Sequence, residues 1–303
     1  MPLGKLTAKE SLVAKMKNLK IILLMLAAIA ALHLTACAKT NRQPDLVFGG
    51  DANQFRQTEK RAFNGEAAIE NSFVFISNVL HAFYDPDATG AMKRKNIQTG
   101  ATQTVLPNGA RFSYVMENEG ELLNFVTIEG DIYRSRSTDG GLTWVDQIKV
   151  VEAERVQWNP GVARDALGGW HMLIESSETG EGAFQGDVGC YYFTSADGVQ
   201  WQAQGRVIDR CGNPYLVFTS RGLLVIHGDL RDVWSTTATT FDGTTWQTHR
   251  AKFDVGSLGV HVCDPHAIEI DGKILLSVSV DQNSITLAES SETFEQLHER
   301  LLQ

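Results

Sequence analysis

The 303-residue sequence is short of several things that would define other protein classes. It has only 7 Pro and 4 Cys, which excludes a proline-rich extended chain, a collagen and a disulfide-packed miniprotein. Basic charge is scarce, with 27 Lys+Arg against 36 Asp+Glu, and no basic stripe stands out, so no nucleic-acid partner is expected. A glycine-rich phosphate loop, a G-x-S-x-G elbow, H-x-x-H, H-E-x-x-H and Cys/His zinc spacings are all missing, which leaves no cofactor and no metal-ligand set indicated. Helical periodicity is lacking except weakly at Phe294 to Leu302, where strand alternation fits equally well. What remains is 43% hydrophobic, and a chain of this length can bury a core without metal or disulfide support.

The one long apolar run, Ile21 to Leu32, is too short to span a bilayer as a helix. Lys5, Lys9, Lys15, Lys17 and Lys20 precede it, and Leu34-Thr35-Ala36-Cys37 follows. That order is the order of a signal peptide. The run L-T-A-C resembles the bacterial lipobox, which implies cleavage of residues 1–36 and lipidation of Cys37. Met16-Lys17 also makes a conventional start, so translation could begin at Met1 or Met16. Residues 37–45 read as the lipidated cysteine and a polar tether, and 46–303 as the folded domain. That domain is acidic, so the acyl chains rather than surface charge would hold it to a membrane. Ala38 after the cysteine resembles outer-membrane sorting, which implies a lipid-anchored, periplasmic or surface-exposed envelope protein.

Two repeat series run through the domain in phase. The first is Ser137-Thr138-Asp139-Gly140-Gly141-Leu142-Thr143-Trp144, followed by weaker copies around Asp197, Gly198 and Trp201 and around Asp242, Gly243 and Trp246. In each the Asp carboxylate can take turn amides, the Gly permits a positive φ, and the Trp can fold under the turn. Ser291-Glu292-Thr293-Phe294 could be a fourth, decayed copy. The second series is Asn64-Gly65, Asn108-Gly109, Asn159-Pro160, Asn213-Pro214 and Asp264-Pro265, each followed by two apolar strands around a Gly-containing turn. The first strand of the first unit is expected at Ala67 to Glu70. Five units of four short antiparallel strands fit 46–303: an all-β, five-bladed β-propeller. Leu46 to Phe48 would complete the last blade, because an open sheet edge needs cover.

The first series matches S-x-D-x-G-x-T-W and so resembles the Asp-box, or BNR repeat, of sialidase-type propellers. Trp158 to Asp165 followed by Gly168 to Glu175, with a second copy from Cys263 to Val280, resembles the rhythm of five-bladed glycosidases of the arabinanase, levansucrase and invertase type. The resemblance implies glycoside hydrolysis, which needs one protonated and one ionised carboxyl about the scissile bond. By repeat phase the leading pair is Asp264 and Glu66, distant in sequence and adjacent once a ring closes. Glu175 and Asp85 are second choices, from an acidic series at the ends of second strands. Trp158, Asn159, Arg164, Asn213 and His266 are the candidates for positioning sugar. Asn159 and Asn213 stand where a hydrolase often carries acids, and an amide cannot shuttle a proton.

A non-catalytic propeller that binds glycan or an envelope protein is the alternative, and an exo-sialidase using Arg61, Arg111 and Arg164 as a carboxylate-binding triad is the third. His81 and His171 have the register of core histidines. Among the cysteines left after Cys37, Cys190 and Cys211 could form a disulfide between neighbouring strands, with Cys263 a free thiol. A structural cation in the channel is compatible with the acid series. A carbohydrate partner, a lipid-mediated membrane contact and a monomeric state are expected.

Overall fold

A computed structural model describes residues 47–48, 56–59, 68–86, 90–107, 111–179, 187–230, 235–249, 252–253, 262–280 and 284–303. The chain divides into two compact units, Met1–Pro44 and Asp45–Gln303, and every described residue lies in the second. Cys37 and the signal segment therefore fall outside the described residues.

Two short strands come first, β1 (Val47–Phe48) and β2 (Arg56–Glu59). Blade 1 is β3 (Ile69–Ile76), β4 (Val79–Asp85), β5 (Met92–Asn96) and β6 (Thr102–Leu106). Blade 2 is β7 (Tyr114–Asn118), β8 (Glu121–Ile128), β9 (Asp131–Ser137) and β10 (Val145–Val151). Blade 3 is β11 (Val156–Arg164), β12 (Trp170–Ser177), β13 (Gly189–Ser195) and β14 (Gln202–Asp209). Blade 4 is β15 (Cys211–Thr219), β16 (Gly222–Asp229), β17 (Ser235–Phe241) and β18 (Trp246–His249); β19 (Lys252–Phe253) follows. Blade 5 has β20 (Val262–Ile270), β21 (Lys273–Val280) and β22 (Ser284–Glu289), with β2 as its fourth strand, and α1 (Phe294–Leu301) ends the chain. The five innermost strands β3, β7, β11, β15 and β20 touch in that cyclic order, β20 returning to β3, so the sheets close into a ring.

The closure departs from the sequence expectation. Arg56–Glu59, not Leu46 to Phe48, covers the outer edge of β22, while Val47–Phe48 pairs in parallel with Lys252–Phe253. Blade 5 needs this borrowed strand because its own chain turns away after β22. Thr293 caps α1 in a capping box with Gln296, and Phe294, Leu297 and Leu301 bury one face of the helix. The Ser291 to Phe294 segment is thus a helix start rather than a fourth turn repeat. The innermost strand of blade 1 is also displaced from Ala67 to Glu70, running instead over Ile69–Ile76, where the apolar run F-V-F-I can be buried.

The turns at Asp139, Asp197 and Asp242 join the third and fourth strands of blades 2, 3 and 4. Asp139 accepts the amides of Leu142 and Thr143 and the hydroxyls of Ser137 and Thr143, and Gly141 N–H donates to Ser137 Oγ. Asp197 accepts the amides of Val199 and Gln200, and Asp242 those of Thr244 and Thr245. Each following tryptophan meets an aromatic ring of the preceding blade: Trp144 on Phe83, Trp201 on Phe125, Trp246 on Tyr192. Such pairs add about 0.5–1.5 kcal/mol beyond burial, so these turns also glue neighbouring blades together. Cys190 on β13 and Cys211 at the start of β15 form a disulfide that ties blade 3 to blade 4. His81 and His171 take interior partners: His81 bonds Val79 O and Arg94, and His171 bonds Tyr192 and Asp165.

Candidate active site

Five residues with positive φ mark one level of the ring, one per blade: Glu70 (51°), Phe112 (57°), Asn159 (43°), Asn213 (46°) and Asp264 (50°). In four blades the ladder slips at this point, between Ile69 and Ser72, Trp158 and Pro160, Gly212 and Tyr215, and Cys263 and His266. A bulge of this kind re-aims a side chain, and the left-handed conformation costs a non-glycine residue roughly 1–3 kcal/mol. Proline follows in three blades, at Pro160, Pro214 and Pro265, and lacks the N–H that a broken ladder would orphan. Asx residues tolerate this backbone well, which explains Asn159, Asn213 and Asp264; glutamate and phenylalanine do not, so Glu70 and Phe112 are held there by the ring.

All five line a single small cavity of about 30 Å³ at the axial mouth where the innermost strands begin. The charge of Asp264 acts on two other carboxyls, Glu70 and Glu175. Glu70 Oε2 accepts the Phe112 amide at 2.8 Å, yet enclosure of its carboxyl and the charges of Asp264 and Asp85 push it well above the usual carboxylate range. Glu175, on β12 and 4% exposed, is pushed up to about 7, chiefly by burial and then by the charge of Asp264. Its Oε2 accepts both Asn159 Nδ2 at 2.8 Å and the Asn213 amide at 3.0 Å, which hold the value down against that burial. Asp264 is buried, and Asn71 Nδ2 reaches its main-chain oxygen at 3.4 Å across the seam between blades 1 and 5. Asp85 is buried and accepts the Gly90 amide at 3.1 Å.

Below the carboxyls the channel is plugged by rings. His266 lies 4.7 Å from Tyr215, 5.6 Å from Tyr114 and 6.3 Å from Phe73, centroid to centroid. Its Nδ1 accepts the Phe73 amide at 3.3 Å, which places the proton of the neutral ring on Nε2. Burial lowers its pKa to about 3, so it stays uncharged. Beneath the plug a separate cavity of about 1020 Å³ opens at the other end of the channel.

The sequence candidates sort by this geometry. Asp264, Asn159 and Asn213 line the cavity at the mouth, His266 closes it from below, Glu175 stands behind the two asparagines through its hydrogen bonds, and the charge of Asp85 is felt by Glu70. Trp158 is the neighbour of Asn159 and lines an adjoining groove. Arg164 is a correction: at the far end of β11 it bonds Asn118 and Glu119 and lines the opposite cavity, about 16 Å of strand from Asn159. That also removes it from any arginine triad with Arg111. Glu66, Arg61, Cys263 as a side chain, His261 and Asp281 lie outside the described residues, while Glu129 of the same acidic series is exposed. Glu70 is the acid that sequence phase did not single out; its signal is a lone polar pair, Glu-Asn, opening the apolar run of β3 as Asn-Pro opens β11. Among the described residues no group of three or more His, Cys, Asp or Glu side chains is arranged to hold a metal ion.

No family model matches the chain, and no curated protein does. Solved structures share its fold. An endo-1,4-beta-xylanase from Bacteroides thetaiotaomicron superposes with a TM-score of 0.56 at 10% identity, covering 76% of this chain and 91% of that one. The catalytic domain of a Coprinopsis cinerea GH62 alpha-L-arabinofuranosidase gives 0.55 at 9% identity, covering 79% and 96%. A GH43 beta-xylosidase/alpha-arabinofuranosidase from a compost microbial metagenome, in complex with xylotriose, gives 0.54 at 12% identity, covering 78% and 95%.

Proposed function

We propose that this protein is a glycoside hydrolase whose reaction takes place at the axial mouth. The observation that carries the reading is that Glu70 and Asp264, from blades 1 and 5, line one small cavity, with Glu175 of blade 3 hydrogen-bonded directly behind its Asn159 and Asn213 walls and within reach of the Asp264 charge. Hydrolysis of an acetal needs a carboxylic acid still protonated near neutrality and a carboxylate still charged beside it. Glu175, titrating at about 7, is the proton donor to the leaving oxygen. Asp264, whose charge raises both other acids, is the ionised partner, and Glu70 keeps a second carboxyl against it. Asn159 and the Asn213 amide fix the Glu175 oxygen, so these amides serve as positioning groups rather than as replacements for acids.

The three neighbours named above are a xylanase, an arabinofuranosidase and a xylosidase/arabinofuranosidase, which supports a pentose-containing poly- or oligosaccharide as the substrate class. The turns at Asp139, Asp197 and Asp242 serve as structural Asp-box turns in this reading. The L-T-A-C run supports lipidation of Cys37 and a place in the bacterial envelope, tested by radiolabelled palmitate incorporation that Cys37→Ser abolishes.

The test of activity uses the chain without residues 1–37 on xylo-, arabino- and sialyl-oligosaccharides, with products read by mass spectrometry. Cleavage of a pentose glycan, lost in Asp264→Asn and Glu175→Gln, is expected. Intact glycans throughout would overturn the hydrolase and favour a propeller that only binds. Release of sialic acid would overturn the substrate class.

A further inference from the structure

Beside the mouth, between blades 2 and 3, lies a groove of about 680 Å³, within the range of small-ligand sites. Phe112 lines both this groove and the carboxyl cavity, so the two adjoin. The wall on the blade 3 side carries Trp158. The bulge at Asn159 splits the work of two adjacent residues: Asn159 turns to Glu175 and the mouth, and Trp158 lines the groove. Trp144, Trp170, Trp201 and Trp246 each pack against another aromatic ring; among the described residues Trp158 alone of the tryptophans stacks on none. A half-buried indole with no ring partner among the described residues is an unused flat apolar surface.

The remaining lining mixes apolar residues, Phe112, Ile128 and Val156 among them, with charged groups of both signs. Arg155 lies over the Tyr191 ring at 4.1 Å and within 3.5 Å of Glu178, while Arg111 and Glu129 stand on the blade 2 side. Such a mixture offers donors and acceptors to hydroxyls without favouring a net-charged ligand.

We propose that this groove is an extended subsite for a neutral glycan chain, with Trp158 as the stacking platform for a sugar ring beyond the bond at the carboxyl cavity. The inference rests on the hydrolase reading for the identity of the mouth, and it makes the substrate a chain of several sugars rather than a terminal unit held alone. Trp158 is a specificity residue, because it acts on the sugars that do not react.

The experiment is a length series. Linear xylo- and arabino-oligosaccharides from the disaccharide to the hexasaccharide are titrated calorimetrically into the wild type, Trp158→Ala and Trp158→Phe, and the same series is followed for cleavage. Affinity of the wild type is expected to rise with length. Trp158→Ala should lose about tenfold on the hexasaccharide and little on the disaccharide, with Trp158→Phe keeping most of the affinity. Titration of the wild type with the hexasaccharide should also shift its tryptophan fluorescence, and that shift should vanish in Trp158→Phe, a readout that does not depend on Trp158→Ala folding well. Length-independent affinity, or a hexasaccharide bound equally by wild type and both variants, overturns the subsite. Trp158-dependent binding without any cleavage leaves the subsite standing and overturns the hydrolase.

Discussion

Glu175 has one oxygen committed to two donors, and the charge that reaches it is the like charge of Asp264. Its folded pKa of about 7 lies above its ordinary 4.5, so the folded state holds the proton more tightly than the unfolded chain does. The sign follows directly. Stability from this group is fully present below the unfolded value near 4.5 and is lost as pH rises through about 7. Glu175→Gln offers a test because Asn159 Nδ2 and the Asn213 amide both donate to Oε2, and a single amide oxygen can accept both. The variant should unfold at a higher temperature than the wild type at pH 8, and the gap should close below about pH 5. The proposed glycosidase activity should fall by roughly a hundredfold or more, the usual cost of removing a general acid. Identical pH dependence of unfolding in the two proteins would mean that the proton sits elsewhere, with Glu70 the next group to test by the same substitution.

The turns between third and fourth strands show what a single element contributes. A Cβ on Gly141 would fall 2.4 Å from Phe83 Cζ at a φ of +82°, so the glycine is needed both for backbone and for the approach of the preceding blade. Gly243 has a φ of +95° with open space around it. Gly141→Ala should therefore cost about 2–4 kcal/mol in urea unfolding, and Gly243→Ala about 1 kcal/mol, the strain of the backbone alone. Equal losses would show that the Phe83 contact yields freely. The Cys190–Cys211 link belongs to the same scale: it closes a segment with a sequence separation of 21, so replacing both cysteines by alanine should lower unfolding free energy by about 3 kcal/mol. These turns were legible because their chemistry is local: Asp, Gly and Trp at fixed offsets make their own hydrogen bonds and pack one blade away. The bulges were not. Nothing in a string marks Glu70 or Phe112 as left-handed, since neither residue favours that conformation and only the closed ring imposes it. Repeat phase built on Asn-Gly and Asn-Pro pairs points to Glu66, which lies outside the described residues, and does not reach Glu70; Arg164 stands only five residues from Asn159 in sequence, yet an extended strand carries the two to opposite ends of the channel.

Closure is a property of the whole molecule and was the least local feature to read. A propeller must hide the edge of its last sheet, and β22 has the chain departing into α1 beyond it. The strand that covers this edge, Arg56–Glu59, is polar and carries no apolar alternation, which is why the apolar Leu46 to Phe48 looked the better candidate. Three chains separate the two roles. One beginning at residue 45 keeps β1 and β2, one beginning at residue 54 keeps β2 alone, and one beginning at residue 62 keeps neither. If β2 is the clasp, the first two should unfold at nearly the same temperature, because β1 pairs only with the short β19. The third should unfold several degrees lower and run as oligomers in size-exclusion chromatography, since the bare edge of β22 is a template for a second chain. A synthetic peptide spanning residues 54–61 should return it to a monomer by supplying the missing ladder in trans. A drop in stability already at residue 54, with no further change at 62, would instead make Val47–Phe48 the element that holds the ring.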